Sequence, residues 1–521
     1  MTQYNSAPDA VGTEYLWWRT EAGMRTTVAL FKPGLHADSA RTPIEAALFD
    51  REGRLVATWK FDLTPERACI IDSAAEGPWT TAKATDGVLA LHVFEDTGPG
   101  STQTASNTRL YPLVTWRRPD GRVASLHSDQ CLSRGSSQPQ RFTEIVVSER
   151  ADEHNALVLL NGETRQPSDA LVLQIQNVRG DVRSARYTPT MDPFTVHRVA
   201  LLDLFPDIVD FSAQGALLVS GTFHSLDLET RPYAETTGRR WGLYHGGDVY
   251  TWGERPFIKH AYIDGEVNPM AVIHNDRVST WVNLLHSHDG MDGDTDIDVR
   301  LFDDAGTCVA SRHRWKTARR QKLTRFAVAE LLDDPSRPFN GHIAISFAPE
   351  PGQPVPFHVQ ALMEYGSDRT VARVMGWSDE WNSDVKRARR LQLGQDDVIR
   401  ACFLVWNDAE LESLVAITNA GHLDYKECAT AELSLVGPSG TIMKTELSIG
   451  PYATAFFGIS EKFPEWSEHL DAGTAMLVIS SRSDLASLAF IRHRESGAVA
   501  AEHFFALWDW TGTRITEAAG S

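Results

Sequence analysis

The sequence predicts an all-β chain made of four tandem β-sandwich repeats of about 128 residues, each carrying a short helical turn. Two landmarks and one pattern lead to that prediction. Four segments, "IEAALFDREGRLVATW", "LVLQIQNVRGDVRSARY", "IDVRLFDDAGTCVASRH" and "AELSLVGPSGTIMKTEL", share an apolar strand, a tight turn ending in glycine and a second strand. Their turn glycines are Gly53, Gly180, Gly306 and Gly440, spaced by 127, 126 and 134 residues. A second glycine opens a later strand in each unit, at Gly87, Gly215, Gly341 and Gly473, and follows the first by 34, 35, 35 and 33 residues. Two landmarks in phase across four units argue for duplication of one module. The pattern is a succession of short apolar runs separated by turn residues.

The elements follow in order. The first glycine is a hairpin tip, because D-R-E-G and D-D-A-G suit a type I turn closed by a residue with positive φ, which glycine adopts at least strain. Upstream lie two more strands, Met270 to His274 and Val278 to Leu285 in the third unit, Arg400 to Trp406 and Leu414 to Asn419 in the fourth. Between the two glycines, "ERACIIDSAA", "VHRVALLDLF", "RFAVAELLDD" and "AFFGISEKF" have the periodicity of one or two helical turns or of an irregular crossing between sheets. After the second glycine comes another hairpin, clearest in "LYPLVTWRRPDGRVASLH" and "LAFIRHRESGAVAAEHFF", with P-D-G and E-S-G as its turns. About seven strands per unit result. In number and spacing they resemble an immunoglobulin-like β-sandwich, without the Cys…Trp…Cys spacing of true immunoglobulin domains. The units run approximately over residues 13–135, 140–255, 265–382 and 395–513. Short polar connectors such as "SRGSSQPQ" imply a semi-rigid array or packed pairs rather than a loose string.

Composition narrows the function classes. The 521 residues are 42% apolar and 23% charged, the profile of a folded globular protein. A formal charge of −19 argues against a nucleic-acid partner, which requires a basic field to displace counterions. Five dispersed cysteines, Cys69, Cys131, Cys308, Cys402 and Cys428, argue against a disulfide framework or a zinc knuckle. The first fifteen residues carry neither a basic nor an apolar leader, and no run approaches the roughly 18 apolar residues of a membrane span, so a cytoplasmic protein without a membrane partner is expected. G-x-S-x-G, the phosphate loop and H-E-x-x-H are all absent.

Several residues are nonetheless candidates for a site. "HSHDGMDGDTDID" sets His286, His288, Asp294, Asp296 and Asp298 between the second and third strands of unit three. Calcium favours clustered carboxylates and zinc takes paired histidines, yet the EF-hand spacing fails, with Val299 where glycine is wanted and Ala305 where glutamate is wanted. A solvated loop is the favoured reading. The last strand of three units ends near a histidine, His127, His245 or His503, with Asp129 and Asp248 just beyond the first two. These are read as packing groups at sheet ends, or as catalytic residues if they meet in an interdomain cleft. Fifteen tryptophans are many for this length, and Trp252, Trp377 and Trp381 are candidates for stacking on a ligand, with Trp508 and Trp510 a similar pair at the last sheet end. The expected function is a non-catalytic binding or scaffold protein that presents loops and sheet ends to a protein or glycan partner. The alternative is a metal-dependent enzyme with a His/Asp site between two repeats. No cofactor is expected, and Ca²⁺ or Zn²⁺ are the metals to consider.

Overall fold

The computed structural model describes residues 10, 12–31, 41–80, 86–94, 112–127, 140–213, 215–223, 232–245, 266–286, 294–319, 322–348, 359–378, 398–419, 427–466, 473–483, 485–503 and 507–509. They form eight antiparallel sheets that pair into four sandwich-like units. In the first unit the strands are β1 (Gly12–Arg19), β2 (Arg25–Phe31), β3 (Thr42–Asp50), β4 (Leu55–Leu63), β5 (Ala68–Asp72), β6 (Asp86–Val93), β7 (Leu113–Arg117) and β8 (Val123–His127). The second has β9 (Gln140–Ser148), β10 (Glu153–Leu160), β11 (Leu171–Asn177), β12 (Val182–Tyr187), β13 (Val196–Ala200), β14 (Ala216–Phe223), β15 (Tyr233–Gly238) and β16 (Gly242–His245). The third has β17 (Glu266–His274), β18 (Ser279–His286), β19 (Thr295–Asp303), β20 (Cys308–Ala318), β21 (Leu323–Ala327), β22 (Phe339–Ala348), β23 (Val359–Gly366) and β24 (Val371–Ser378). The fourth has β25 (Val398–Trp406), β26 (Leu411–Thr418), β27 (Ala429–Gly437), β28 (Gly440–Ile449), β29 (Thr454–Gly458), β30 (Thr474–Ser481), β31 (Ala486–His493), β32 (Val499–His503) and β33 (Leu507–Asp509).

Strand order is the same in every unit. One sheet runs first, sixth, third, fourth strand, as in β1-β6-β3-β4, and the other fifth, second, seventh, eighth, as in β5-β2-β7-β8. The fourth unit adds β33 to the free edge of β25. Each unit thus has at least eight strands, one more than the spacing of apolar runs suggests. The extra one is the short fifth strand, whose five residues read equally well as helix or strand. In units two, three and four it leads into a helical turn, at Leu201–Leu204, Val328–Leu331 and Ile459–Lys462. Unit one departs from that expectation: residues 73–80 are turns and bends, with Gly77 and Pro78 just past the four positions that form the helical turn in the other units. No helix among the described residues is long and apolar enough to cross a membrane.

Both glycine landmarks have a physical reason. The hairpin tips Gly53, Gly180, Gly306 and Gly440 have φ of 77°, 92°, 88° and 113°. Gly87 and Gly341 instead allow close backbone approach, since a Cβ at either would lie 1.9 Å from the carbonyl oxygen of Phe49 or Phe302 on the neighbouring strand.

Why some strands are apolar on both faces becomes clear from the packing of units on one another. In β1 every residue from Thr13 to Arg19 is buried, and β6 is buried from Gly87 onward. One face lies in the unit's own core. The other meets the second sheet of the next unit: Trp17, Phe49 and Leu91 share a cluster with Val158, Leu160, Val196 and Tyr233. Unit two repeats the arrangement against Leu285, Leu323 and Leu362, and unit three against Ala416, Leu488 and Phe490. Unit four returns to unit one, with Leu404, Trp406 and Val478 on Ala29, Phe31 and Leu113. Four head-to-tail contacts of one kind that come back to the start make a closed ring.

A second contact recurs around the ring. In units one, two and four a Pro-containing turn precedes the fifth strand, and Glu66, Phe194 and Tyr452 within it have φ of 57°, 58° and 58°. Its proline sets the turn, Arg67, Thr195 and Ala453 donating to the carbonyls of Thr64, Asp192 and Gly450. The hairpin tip of the preceding unit docks there. Glu52 bridges to Thr195, Thr454 N–H donates to Asp304, and a Cβ on Gly53 or Gly306 would lie 2.3 Å from the Pro193 oxygen or 2.5 Å from the Pro451 oxygen.

Candidate functional site

The eighth strand of each unit is the edge of its sheet, so closing the ring brings four edges together. β8 touches β16, β16 touches β24, β24 touches β32, and β32 touches β8. A parallel bridge between Trp241 and Thr370 joins two of them, and the backbones approach so closely that a Cβ on Gly242 would lie 1.9 Å from the Val371 oxygen. At the centre is a cavity lined by two residues from each unit: Ser125 and Leu126, Tyr244 and His245, Arg373 and Val374, Ala501 and Glu502. It has room for about one water molecule.

The four eighth strands contribute different chemistry here, from neighbouring rather than equivalent positions. His127, His245, Arg373 and Glu502 are only 0%, 5%, 4% and 4% exposed. The rings of His127 and His245 are 4.6 Å apart, edge to face. His127 Nδ1 lies 2.8 Å from Glu502 Oε1, a hydrogen bond between two buried side chains of different units. Arg373 donates through Nε to Glu364 Oε2 at 2.9 Å and through Nη1 to Thr236 at 3.3 Å, while its Nη2 has no hydrogen-bond partner among the described residues. Arg325 completes the cluster, donating to Glu364 Oε1 at 2.9 Å. Burial raises the Glu364 pKa, but Arg325 and Arg373 outweigh it and hold the carboxyl below the usual range. Between units one and two the same balance holds Glu235 low: burial opposes ionisation, and Arg19 and Arg198 win.

This arrangement can hold charge and move a proton over a short distance. It offers no space for a substrate larger than water. Of the residues singled out from the sequence, His127 and His245 meet at the axis. Asp129 and Asp248 lie outside the described residues, and the carboxylate on His127 is Glu502 of another unit. Sequence reasoning missed Glu502, Arg373 and Glu364. The available signal was one charged residue inside an otherwise apolar strand, as in "AVAAEH", "TVARVM" and "QALMEYG".

Other candidates are placed as follows. Asp296 and Asp298 lie on β19 with their alternate neighbours buried, and their oxygens face β20. Thr317 Oγ1 donates to Asp296 at 2.8 Å, and Arg314 N–H donates to Asp298 at 2.8 Å with His313 also within 2.9 Å of that carboxylate. Asp294 precedes the strand and is exposed. His286 ends β18, while His288 lies outside the described residues. Among the described residues no three His, Cys, Asp or Glu side chains are grouped to hold a metal. Trp377 falls in β24, whereas Trp252 and Trp381 lie outside the described residues. Trp17, Trp18, Trp116, Trp241, Trp406 and Trp466 are fully buried, which places them in cores and junctions.

No family model matches the chain. No curated protein matches it either. Among solved structures, it is similar to the native conformation of Escherichia coli alpha-2-macroglobulin, with 10% identity and a TM-score of 0.09 over 94% of this chain and 28% of that one. It is likewise similar to the Escherichia coli protein activated by porcine elastase, with 8% identity and a TM-score of 0.09 over 95% of this chain and 53% of that one. The chain therefore spans well under two thirds of either protein, and scores this low carry no argument about fold or function.

Proposed function

We propose that this is a non-catalytic binding or scaffold protein whose immunoglobulin-like modules present loops and outer edge strands to a partner protein. The observation that carries the reading is the way the sheets are used. Both sheets of every unit are committed to a core on one face and to the ring on the other, and the buried polar cluster encloses space for about one water. What remains outward is the fourth strand of each unit, β4, β12, β20 and β28, with the loops around it. These strands carry exposed apolar residues just past the tips, Leu55, Val182 and Val309, at 41%, 53% and 45% exposure. Lys60, Arg183, Arg314 and Lys444 on the same strands discourage self-pairing of the edges. A protein partner is favoured over a glycan because the described tryptophans are mostly buried.

Crosslinking in native extract followed by peptide mapping tests the reading. Links from a reproducible partner should fall on Lys60, Lys316 and Lys444 of the outer strands; a glycan that binds the folded chain on an array, with no such links, would overturn the protein version. The meeting of His127 and His245 favours one rival, a metal-dependent enzyme at the axis. That rival requires stoichiometric metal in gently purified protein, and finding it would displace the binding reading.

A further inference from the structure

We propose that the outer strand of unit three is a docking strip for an acidic, extended segment of a partner protein, which rests on the binding role above and gives the partner its chemistry. Residues 305–329, from the hairpin tip through β21, contain seven Lys or Arg and no Asp or Glu, in a chain whose formal charge is −19. Aligned on the tip glycine, the same stretch of unit one holds three Lys or Arg against five Asp or Glu, that of unit two four against three, and that of unit four two against two. The strand is common to all four units; the one-sided charge belongs to unit three.

β20 is the edge of its sheet and pairs with β19 alone. Its middle is bulged: Arg312 faces Val299 and Lys316 faces Ile297, so three residues of β20 stand against Asp298, and Arg314 among them has φ of 47°. Asp298 fills the bulge by accepting from the Arg314 N–H. A bulge of this kind disrupts the ladder that an added strand would need, which leaves side chains as the means of recognition. The cations recur every two or three residues, at Arg312, Arg314, Lys316, Arg319 and Lys322. Carboxylates meet part of the strip: Asp296 lies 3.9 Å from Arg314, Glu330 3.0 Å from Lys316, and Asp298 2.8 Å from His313. Arg312, Arg319 and Lys322 have no carboxylate partner among the described residues; Arg312 donates to the carbonyls of Ser311 and Leu331, and Lys322 to that of Arg179 at the tip of unit two. Salt screens charges beyond about 8–10 Å, so the remote acids that make the chain anionic are muted here and the local surplus of cations governs. An extended segment with Asp or Glu at every second residue sets its carboxylates about 7 Å apart, the spacing of cations on an edge strand.

Fluorescence anisotropy with the full-length chain and a labelled peptide of alternating Glu and Ser, about twelve residues long, tests the strip. The wild type should bind this peptide, less tightly as salt rises from about 50 mM to about 300 mM, and should not bind the matching Lys and Ser peptide. Arg319→Glu with Lys322→Glu should weaken binding by about tenfold or more. Arg41→Glu with Arg165→Glu, an equal change of charge at exposed positions of units one and two, should leave it unchanged. A wild type that does not bind, an equal loss in the control pair, or tighter binding of a single-stranded oligonucleotide of the same charge would overturn the strip. Should the first double variant fail to fold, Arg312→Gln and Arg319→Gln taken singly should each weaken binding about threefold, and unchanged affinity in both would overturn it equally. Partner crosslinks to Lys60 or Lys444 that persist undiminished in Arg319→Glu with Lys322→Glu would leave the wider binding role standing and remove this strip from it. The peptide bound at the strip, with no partner links on any outer strand of the wild type, would do the reverse.

Discussion

The junction between units one and two and the junction between units four and one are built to one plan and filled with different chemistry. In the first, Phe49 stacks on Phe194 with ring centroids 4.0 Å apart, and Gly53 seats against the Pro193 carbonyl with no room for a methyl group. In the second, Glu66 occupies the position of Phe194, and Gly440 stands back, its Cβ direction ending 3.8 Å from the Glu66 oxygen. Charge takes over there: Arg400 donates to Glu66 at 2.8 Å and Arg117 to Asp408 at 2.9 Å, above the apolar layer of Trp406 and Phe31. The lesson is that a repeated module fixes where a contact falls while leaving its strength to be set by a few side chains.

The largest effect expected from breaking this comparison is at Phe194. Truncation to alanine removes a nearly buried ring from the tight junction and should lower unfolding free energy by about 3 kcal/mol. Glu66→Ala at the matching turn should lower it by less than about 1 kcal/mol, both measured by urea denaturation. Next come the tips. Gly53→Ala introduces a Cβ 2.3 Å from a backbone oxygen at φ 77° and should cost roughly 2 kcal/mol; Gly440→Ala, strained but unobstructed, should cost about 1 kcal/mol.

The junction between units three and four sharpens the comparison through pH. His342 donates to or accepts from Thr454 across it at 3.0 Å and stacks on Phe302. Burial, helped by Arg300, lowers its pKa from 6.5 to about 4. Because the folded value is depressed, the unfolded chain takes the proton first. The contribution is therefore complete above the unfolded value and is lost as pH falls from 6.5 toward 4. His342→Gln should flatten the stability profile in that window by on the order of 2 kcal/mol, read from denaturation midpoints at several pH values. The smallest expected change is Arg400→Ala at the looser junction, below about 1 kcal/mol and shrinking in high salt, since Glu66 is half exposed.

Much of the module was legible from the residues, and the reasons are physical. Hairpin-tip glycines announce themselves because few other residues take positive φ, and alternation marks strands such as β11 and β19, each with one polar face. The fifth strand was hidden, being too short for periodicity to separate it from a helix. The ring was hidden for a different reason. Strands buried on two faces, such as β1 and β6, read as uniformly apolar, which says that something covers them without saying what. One clue was present and unused: Pro65, Pro193 and Pro451 stand 128 and 258 residues apart, ahead of the turns that receive the neighbouring tips. As for the site, His127 and His245 were visible as a recurrence at strand ends. Their meeting with Glu502 and Arg373 depends on the ring, so no local pattern could supply it.

Closure of the ring has a consequence for damage. In a linear array, cutting a connector frees everything beyond the cut. Here every unit is gripped by two neighbours, so one nick between units severs the polymer without dismembering the particle, and fragments should stay together until a second break or a denaturant parts them.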